Sequence, residues 1–291
     1  MNSILHTGAT VSDIEWHKKF LLETLSMTIL SDLPREGDWI DATTGLKGFQ
    51  SQTVYLTPDE QSKVELFYLF HPSLVPVPFT YGAHTGISHI GLQTSDPSQR
   101  INLMSKYRLQ LNFIKEDDAE GGYLVQDNAG LTWHLQSNEF EERGMRLSHT
   151  RIVVSDLERS LPVYTSLLGL QVLKSDSRKM MLQDRNGQWL TTDAEVHTLA
   201  STNGQEVEIC RYKDLIPLPN PRKKLNSTGL HHLAFSSENA HSIFSKLWFF
   251  NCTPLSKPQL IPMGPNRGGL VFYFFDPDGI SLEILQTPKM N

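Results

Sequence analysis

The sequence predicts an α+β protein of four β-α-β-β-β modules, and three observations predict it. "LHTGATVSDIEWH" near the start returns as "SHTRIVVSDLERS" at 148–160: His6 and His149 stand 143 residues apart, and the same offset carries Val11, Ser12, Asp13 and Glu15 onto Val154, Ser155, Asp156 and Glu158. At that offset "KVELFYLF" falls on "EVEICRYK" and "GISHIGLQTSD" on "GLHHLAFSSEN", so the chain is two copies of a domain-sized unit. Each copy divides again, because its opening strand and its middle strand both run from a histidine through alternating residues into a polar helix start. Modules therefore begin near Ile4, Ile87, Leu147 and Leu230.

The third module shows the order of elements most clearly. "RIVVS" alternates as a strand, "SDLERSLPVYTSLLG" has the spacing of an amphipathic helix stopped by Gly169, and "LQVLKS", "EVHTLAS" and "QEVEICRY" read as three strands. In the fourth, "HHLAFSS" is the strand, the helix lies around "AHSIFSKLWFF", and "GLVFYFF" and "ISLEILQ" are joined by the turn "DPDG". Ser12 with Glu15, and Ser155 with Glu158, match a capping box at a helix start. Gly229, Pro277 and Gly279 read as turn residues. Pro-rich "HPSLVPVPFTYG" and "LIPLPNPRKK" read as linkers between modules.

A net charge of −6 over 291 residues gives no polyanion-binding footprint, so nucleic acid is not an expected partner. No apolar run approaches the ~20 residues needed to span a bilayer, and the N-terminus lacks a signal-peptide succession. Two cysteines, Cys210 and Cys252, form no framework and suit a reducing compartment, so a cytoplasmic protein is expected.

Caps and turns account for the serines, aspartates and glycines, but not for the histidines. His6, His89, His149 and His232 recur at equivalent places in otherwise apolar strands, and Glu208 in "VEICRY" and Glu283 in "SLEILQ" put carboxylates where a core strand would need a partner for them. A divalent metal accounts for all of them at once. Imidazole and carboxylate donors suit Zn, Fe, Mn, Co or Ni and leave room for substrate oxygens.

These segments resemble the vicinal oxygen chelate superfamily of glyoxalase, bleomycin-resistance and extradiol dioxygenase proteins. "HTRIVVSDLERSLPVYTSLLGLQVL", "VEICRYKD", "GLHHLAFSSEN" and "FFDPDGISLEIL" stand in that family's order. The resemblance implies two glyoxalase-like paired-module domains, residues 1–143 and 144–291, with ligands from the first and fourth strands of each module. It implies His149, Glu208, His232 and Glu283 as the metal set of the second half. For a possible second site in the first half it implies His6, Glu65 and His89, with His134 of "GLTWHLQ" where the last glutamate would stand. Pairing of neighbouring modules is expected, since the second half is then complete by itself; exchange would instead bring His6 and Glu65 together with His232 and Glu283.

Two glutamates per site favour an isomerase or lyase of glyoxalase or epimerase type, working on a small molecule through a metal-chelated enediolate with Glu283 or Glu208 as base. Arg151, on one strand face with His149, and Arg267, in "PNRGG", are candidates for a substrate carboxylate or phosphate, and Phe272, with Phe274 and Trp133, for an apolar lining. The alternatives are an extradiol dioxygenase using Fe(II) on His149, His232 and Glu283, and a non-catalytic binding or drug-resistance protein. A monomer or a homodimer is expected.

Overall fold

The computed structural model describes residues 2–59, 61–78, 80–107, 114–116, 122–127, 129–138, 144–184, 186–222 and 224–288. The first module comprises β1 (Ile4–Thr10), α1 (Ile14–Leu25), β2 (Thr28–Glu36), a short α2 (Asp38–Thr44), β3 (Gln50–Thr57) and β4 (Val64–His71). The second has β5 (Gly86–Thr94), α3 (Pro97–Met104), β6 (Ile114–Glu116), β7 (Gly122–Gln126) and β8 (Thr132–Ser137). The third has β9 (Met145–Val153), α4 (Leu157–Pro162) running into a π-turn at Val163–Leu167, β10 (Gln171–Gln183), β11 (Trp189–Ala200) and β12 (Glu206–Tyr212). The fourth has β13 (Gly229–Ser236), α5 (Ala240–Lys246), the short β14 (Thr253–Pro254) and β15 (Gln259–Leu260), β16 (Leu270–Phe275) and β17 (Ser281–Gln286). No described helix is long and apolar enough to cross a membrane.

Helix starts follow local chemistry, one residue later than the capping boxes predict. Asp13 accepts the amide of Trp16, and Asp156 accepts the amides of Glu158 and Arg159. Ser155 instead gives its hydroxyl to Asp278 in the "DPDG" turn, because the shorter serine finds a carboxylate already in reach. In that turn Asp276 accepts the amides of Asp278 and Ile280, each at 2.9 Å, and Gly279 takes φ 78°. The apolar face of α1, with Ile14, Phe20, Leu21 and Leu25 buried, packs into one cluster that continues through both sheets.

The modules pair by exchange, which corrects the expectation of neighbour pairing. One sheet runs β14-β16-β17-β13-β1-β4-β3-β2, joining module four to module one; the other runs β10-β11-β12-β9-β5-β8-β7-β6, joining module three to module two. Antiparallel pairing of β1 with β13 and of β5 with β9 makes the two seams. Both linkers cross between sheets side by side, with backbone hydrogen bonds at Val75, Thr228, Thr85 and Leu218. Thr7 and Thr150, equivalent at the 143-residue offset, meet hydroxyl to hydroxyl at 2.7 Å, so the sequence repeat is expressed as an approximate twofold axis. The expected boundary at residue 143 falls outside the described residues.

Candidate metal centre

Two cups result, with different chemistry. In the first, β1 supplies His6, β4 Glu65, β13 His232 and β17 Glu283, all buried, with one donor atom of each within 4.8 Å of the others. His6 Nε2 lies 3.1 Å from His232 Nε2, 3.1 Å from Glu65 Oε2 and 3.3 Å from Glu283 Oε2; His232 Nε2 lies 3.2 and 3.3 Å from the same two oxygens. In the second, His89 of β5 and His149 of β9 approach Nε2 to Nε2 at 3.2 Å, His134 of β8 joins them, and Glu208 Oε2 lies 3.5 Å from His149. Thus His149 and Glu208 do not share a site with His232 and Glu283, and His6 and Glu65 do not share one with His89 and His134. Strand equivalence identifies the candidate donors, while the seam decides which of them meet.

The first cup fits a divalent cation. Separations of 3.1–3.3 Å are close to those of donors held ~2.0–2.2 Å from one metal ion. Glu65 Oε2 is buried and accepts no well-directed hydrogen bond among the described residues, as expected of a lone pair aimed at the common centre. A chain of contacts also sets the histidine tautomer. Thr10 gives its only hydroxyl proton to the Leu225 carbonyl, at 2.5 Å, and so accepts from His231 Nε2 at 2.9 Å; His231 Nδ1 then accepts from His232 Nδ1 at 2.9 Å. His232 Nε2 is left with its lone pair facing the centre. Burial opposes charge on His6, but Glu65 and Glu283 outweigh it and lift that imidazole to about 10. Burial likewise opposes charge on Glu65, yet His6 and His232 hold it well below its usual range. The site pulls positive charge inward.

The second cup carries that charge already. Arg151 Nε donates to Glu208 Oε2 at 2.7 Å and Arg178 Nη2 to Glu208 Oε1 at 2.8 Å. Burial would raise the Glu208 carboxyl, but Arg151, His149 and Arg178 hold it far below its usual range. Burial first, then Arg151, keeps His134 neutral, down to about 3; His149 is also down at about 3, where burial and Arg151 outweigh the pull of Glu208. One carboxylate facing two guanidinium groups disfavours a cation. The register gives the cause. Two residues after each first-strand histidine, Gly8 lies opposite His232 and Glu65 in one seam, and Arg151 lies opposite His89 and Glu208 in the other. A Cβ on Gly8 would fall 1.8 Å from His232 Cε1, so the bare backbone is what lets that ring reach the centre.

Two further residues complete the first cup. Tyr273 donates to Glu283 Oε2 at 2.7 Å, and Tyr55 packs edge-on against His6 with centroids 5.4 Å apart. Each lies directly across the strand ladder from a glutamate, Tyr55 opposite Glu65 and Tyr273 opposite Glu283. A signal for them exists in the sequence: each tyrosine stands ten residues before its glutamate, where the other two modules have Thr198 before Glu208 and Leu124 before His134.

Above the glutamates is a cavity of about 60 Å³, walled by Arg35, Trp39, Phe67, Met263, Asn266 and Tyr273 among others. The expected substrate residues lie elsewhere. Arg151 does face a cup, as its strand period predicts, but it is buried against Glu208 in the second one. Arg267 is exposed and outside the cavity lining. Phe272 and Phe274 are fully buried on the helix side of β16, where Phe272 meets Phe244, because alternation gives the cup face to Val271 and Tyr273. Trp133 is likewise core.

A family model described as the Glyoxalase/Bleomycin resistance protein/Dioxygenase superfamily matches residues 146–284. Residues 146–284, just under half of the chain, belong to that superfamily. A 2-epi-5-epi-valiolone epimerase from Actinomyces sp. is 24% identical over 151 residues, 48% of this chain and 78% of that protein. Glyoxalase I from Zea mays superposes with a TM-score of 0.68 at 17% identity, over 98% of this chain and 92% of the maize chain, a likeness of fold. Both of these proteins are enzymes by name.

Proposed function

We propose that the chain is a divalent-metal-dependent isomerase or lyase of glyoxalase or epimerase type, with the cup of His6, Glu65, His232 and Glu283 as its active site. The observation that carries the reading is the pair of carboxylates, one from each module, converging on one centre with a tyrosine beside each. A divalent cation held by these four residues would supply Lewis acidity to negative charge developing on a substrate oxygen. Glu283 is the proton carrier: its Oε2 already accepts the Tyr273 hydroxyl, which steadies the carboxylate as it takes a proton from a carbon beside a carbonyl. Glu65 can act in the same way from the opposite module, which suits removal at one face or carbon and return at another. Trp39, Phe67 and Met263 give the cup apolar walls. In place of Glu208, which is locked between guanidinium groups, Glu65 takes the second role. Ring cleavage with Fe(II) is less well served, since Glu65 fills a fourth ligand position in addition to two histidines and Glu283.

We further propose that 1–143 and 144–291 are the two copies of a duplicated unit whose modules exchange, and that the enzyme works in the cytoplasm as a monomer or homodimer, with Cys210 and Cys252 as free thiols. Elemental analysis should find about one metal equivalent per chain, against none for a metal-free binding protein. Exchange of a substrate's α-hydrogen with deuterated water, followed by NMR across 2-oxoaldehyde thiol adducts and 2-substituted acyl thioesters, tests the chemistry. Glu283→Gln should lose about 10²-fold or more in exchange rate, the usual worth of a general base. Wild-type exchange by that variant would refute its role, and oxygen uptake with catechols would point to the dioxygenase.

A further inference from the structure

We infer that Arg35 binds an anionic group on the substrate, so that the first cup acts on a small carboxylate- or phosphate-bearing compound. The inference rests on the reading of this cup as a metal-dependent active site. Arg35 is the penultimate residue of β2, half-buried on a strand that is mostly exposed, and its side chain lines the cavity beside Tyr55, Glu65 and Glu283. It spans the cup mouth: a Cβ on Gly264, in the facing 262–269 loop, would lie 3.4 Å from Arg35 Nη1.

Other arginines close to the cups or on their sheets have partners. Arg151 and Arg178 hold Glu208, and Arg211 holds Glu195. Among the described residues, no hydrogen bond or ion pair engages the Arg35 guanidinium, and its chain neighbour Glu36 instead receives Gln50. Arg35 is the one cationic side chain in the described lining, and the acids facing it there are Glu65 and Glu283. A divalent cation would offset those two negative charges, leaving the Arg35 charge to attract an anion. Its planar fork suits the paired oxygens of a carboxylate or a phosphate equally.

Size and polarity define the rest of the ligand. The partly open cavity suits a small ligand, with Trp39, Phe67 and Met263 offering apolar walls. The anionic group then lies at the mouth, where Arg35 keeps partial contact with solvent. This assigns to Arg35 the part that the sequence suggested for Arg151 or Arg267.

Three hydroxamates on the Co²⁺-loaded, full-length protein test the inference, because each presents two adjacent oxygens and they differ only at the far end: butyrohydroxamate is neutral, succinic monohydroxamate carries a carboxylate, and 3-phosphonopropionohydroxamate carries a phosphonate. Calorimetric dissociation constants should favour at least one anionic probe over the neutral one by about 10-fold, the worth of a partly solvated charge-assisted contact. The tighter anionic probe identifies the group. Arg35→Gln should bring all three within about 2-fold while leaving butyrohydroxamate affinity and the cobalt absorption bands unchanged, which a merely structural role for Arg35 would not do. No anionic preference in wild type, or the same preference in Arg35→Gln, would overturn the inference while leaving the metal site standing. Failure of all three probes to perturb the cobalt bands would instead refute the metal-dependent reading, and the inference with it.

Discussion

Gly8→Ala adds one methyl group to the first cup, and the structure says what it must displace. The new Cβ falls 1.8 Å from Cε1 of His232, 2.3 Å from Nδ1 and 2.5 Å from Nε2, whereas ordinary contact begins at 3.4 Å, so the ring has to move by about 1.6 Å. His232 is fully buried, stacked on His231 with Tyr273 edge-on and Phe67 tilted against it, so it has little room to retreat. Any retreat stretches the 2.9 Å contact to His231 that orients its lone pair. Metal–ligand distances tolerate about ±0.2 Å, so the shift amounts to loss of a ligand. Since disturbing an outer partner of a metal ligand costs 10–100-fold in affinity, displacing a ligand should cost about 100-fold or more. Overpacking should also cost about 1–3 kcal/mol of stability, partly offset by the lower backbone entropy of alanine. Competition against a chromogenic chelator measures the affinity, and a thermal melt the stability. Gly91→Ala is the matched control, placing a Cβ 2.3 Å from His149 Cε1 in the other cup; it should leave metal affinity unchanged. Wild-type affinity in Gly8→Ala, or an equal loss in Gly91→Ala, would refute the assignment of metal to the first cup.

Arg151→Gly recreates at the second seam what Gly8 provides at the first. Stripping a buried partner from Glu208 should destabilise the metal-free protein by about 3–5 kcal/mol, added divalent metal should restore part of the melting temperature, and elemental analysis should rise towards two equivalents; a stoichiometry fixed at one at saturating metal would count against the charge argument. Tyr273→Phe should weaken metal binding by about 10–100-fold, because it removes the hydrogen bond that orients Glu283, and unchanged affinity would show that the phenol is incidental. Asp276 gives a pH dependence. Burial first, and the charge of Asp278, raise its carboxyl from 3.8 to about 7 against the hydrogen bonds it accepts. The folded state therefore holds this proton more tightly than the unfolded chain, and the associated stability is full below pH 3.8 and lost as pH rises through about 7. Asp276→Asn keeps an acceptor for the Asp278 and Ile280 amides without titrating, so it should melt higher than wild type at pH 8 and lose that advantage by pH 4. Equal destabilisation at both pH values would contradict the raised carboxyl.

Much of this protein is written in its local patterns. Hydrophobic period and polar helix starts define the modules, and the 143-residue offset reveals the duplication. Buried histidines and glutamates at repeated strand positions mark the candidate donors, because such residues need partners inside apolar strands. Even the distinction between the cups was present, in Tyr55 and Tyr273 ten residues before their glutamates and in Gly8 against Arg151, although no local rule gives those differences a meaning. The tertiary structure decided which modules meet. All four opening strands carry the same apolar alternation, so each could pair with any other, and strand propensity does not distinguish a neighbour from a distant copy. Once β1 lies against β13, His6 and Glu65 share a centre with His232 and Glu283. Once β9 lies against β5, Arg151 sits between His89 and Glu208 and supplies the second cup with positive charge from within the chain, where the first cup has Gly8. Charge within a buried cup depends on which side chains converge there across the seam, and that convergence exists only after the sheets have formed.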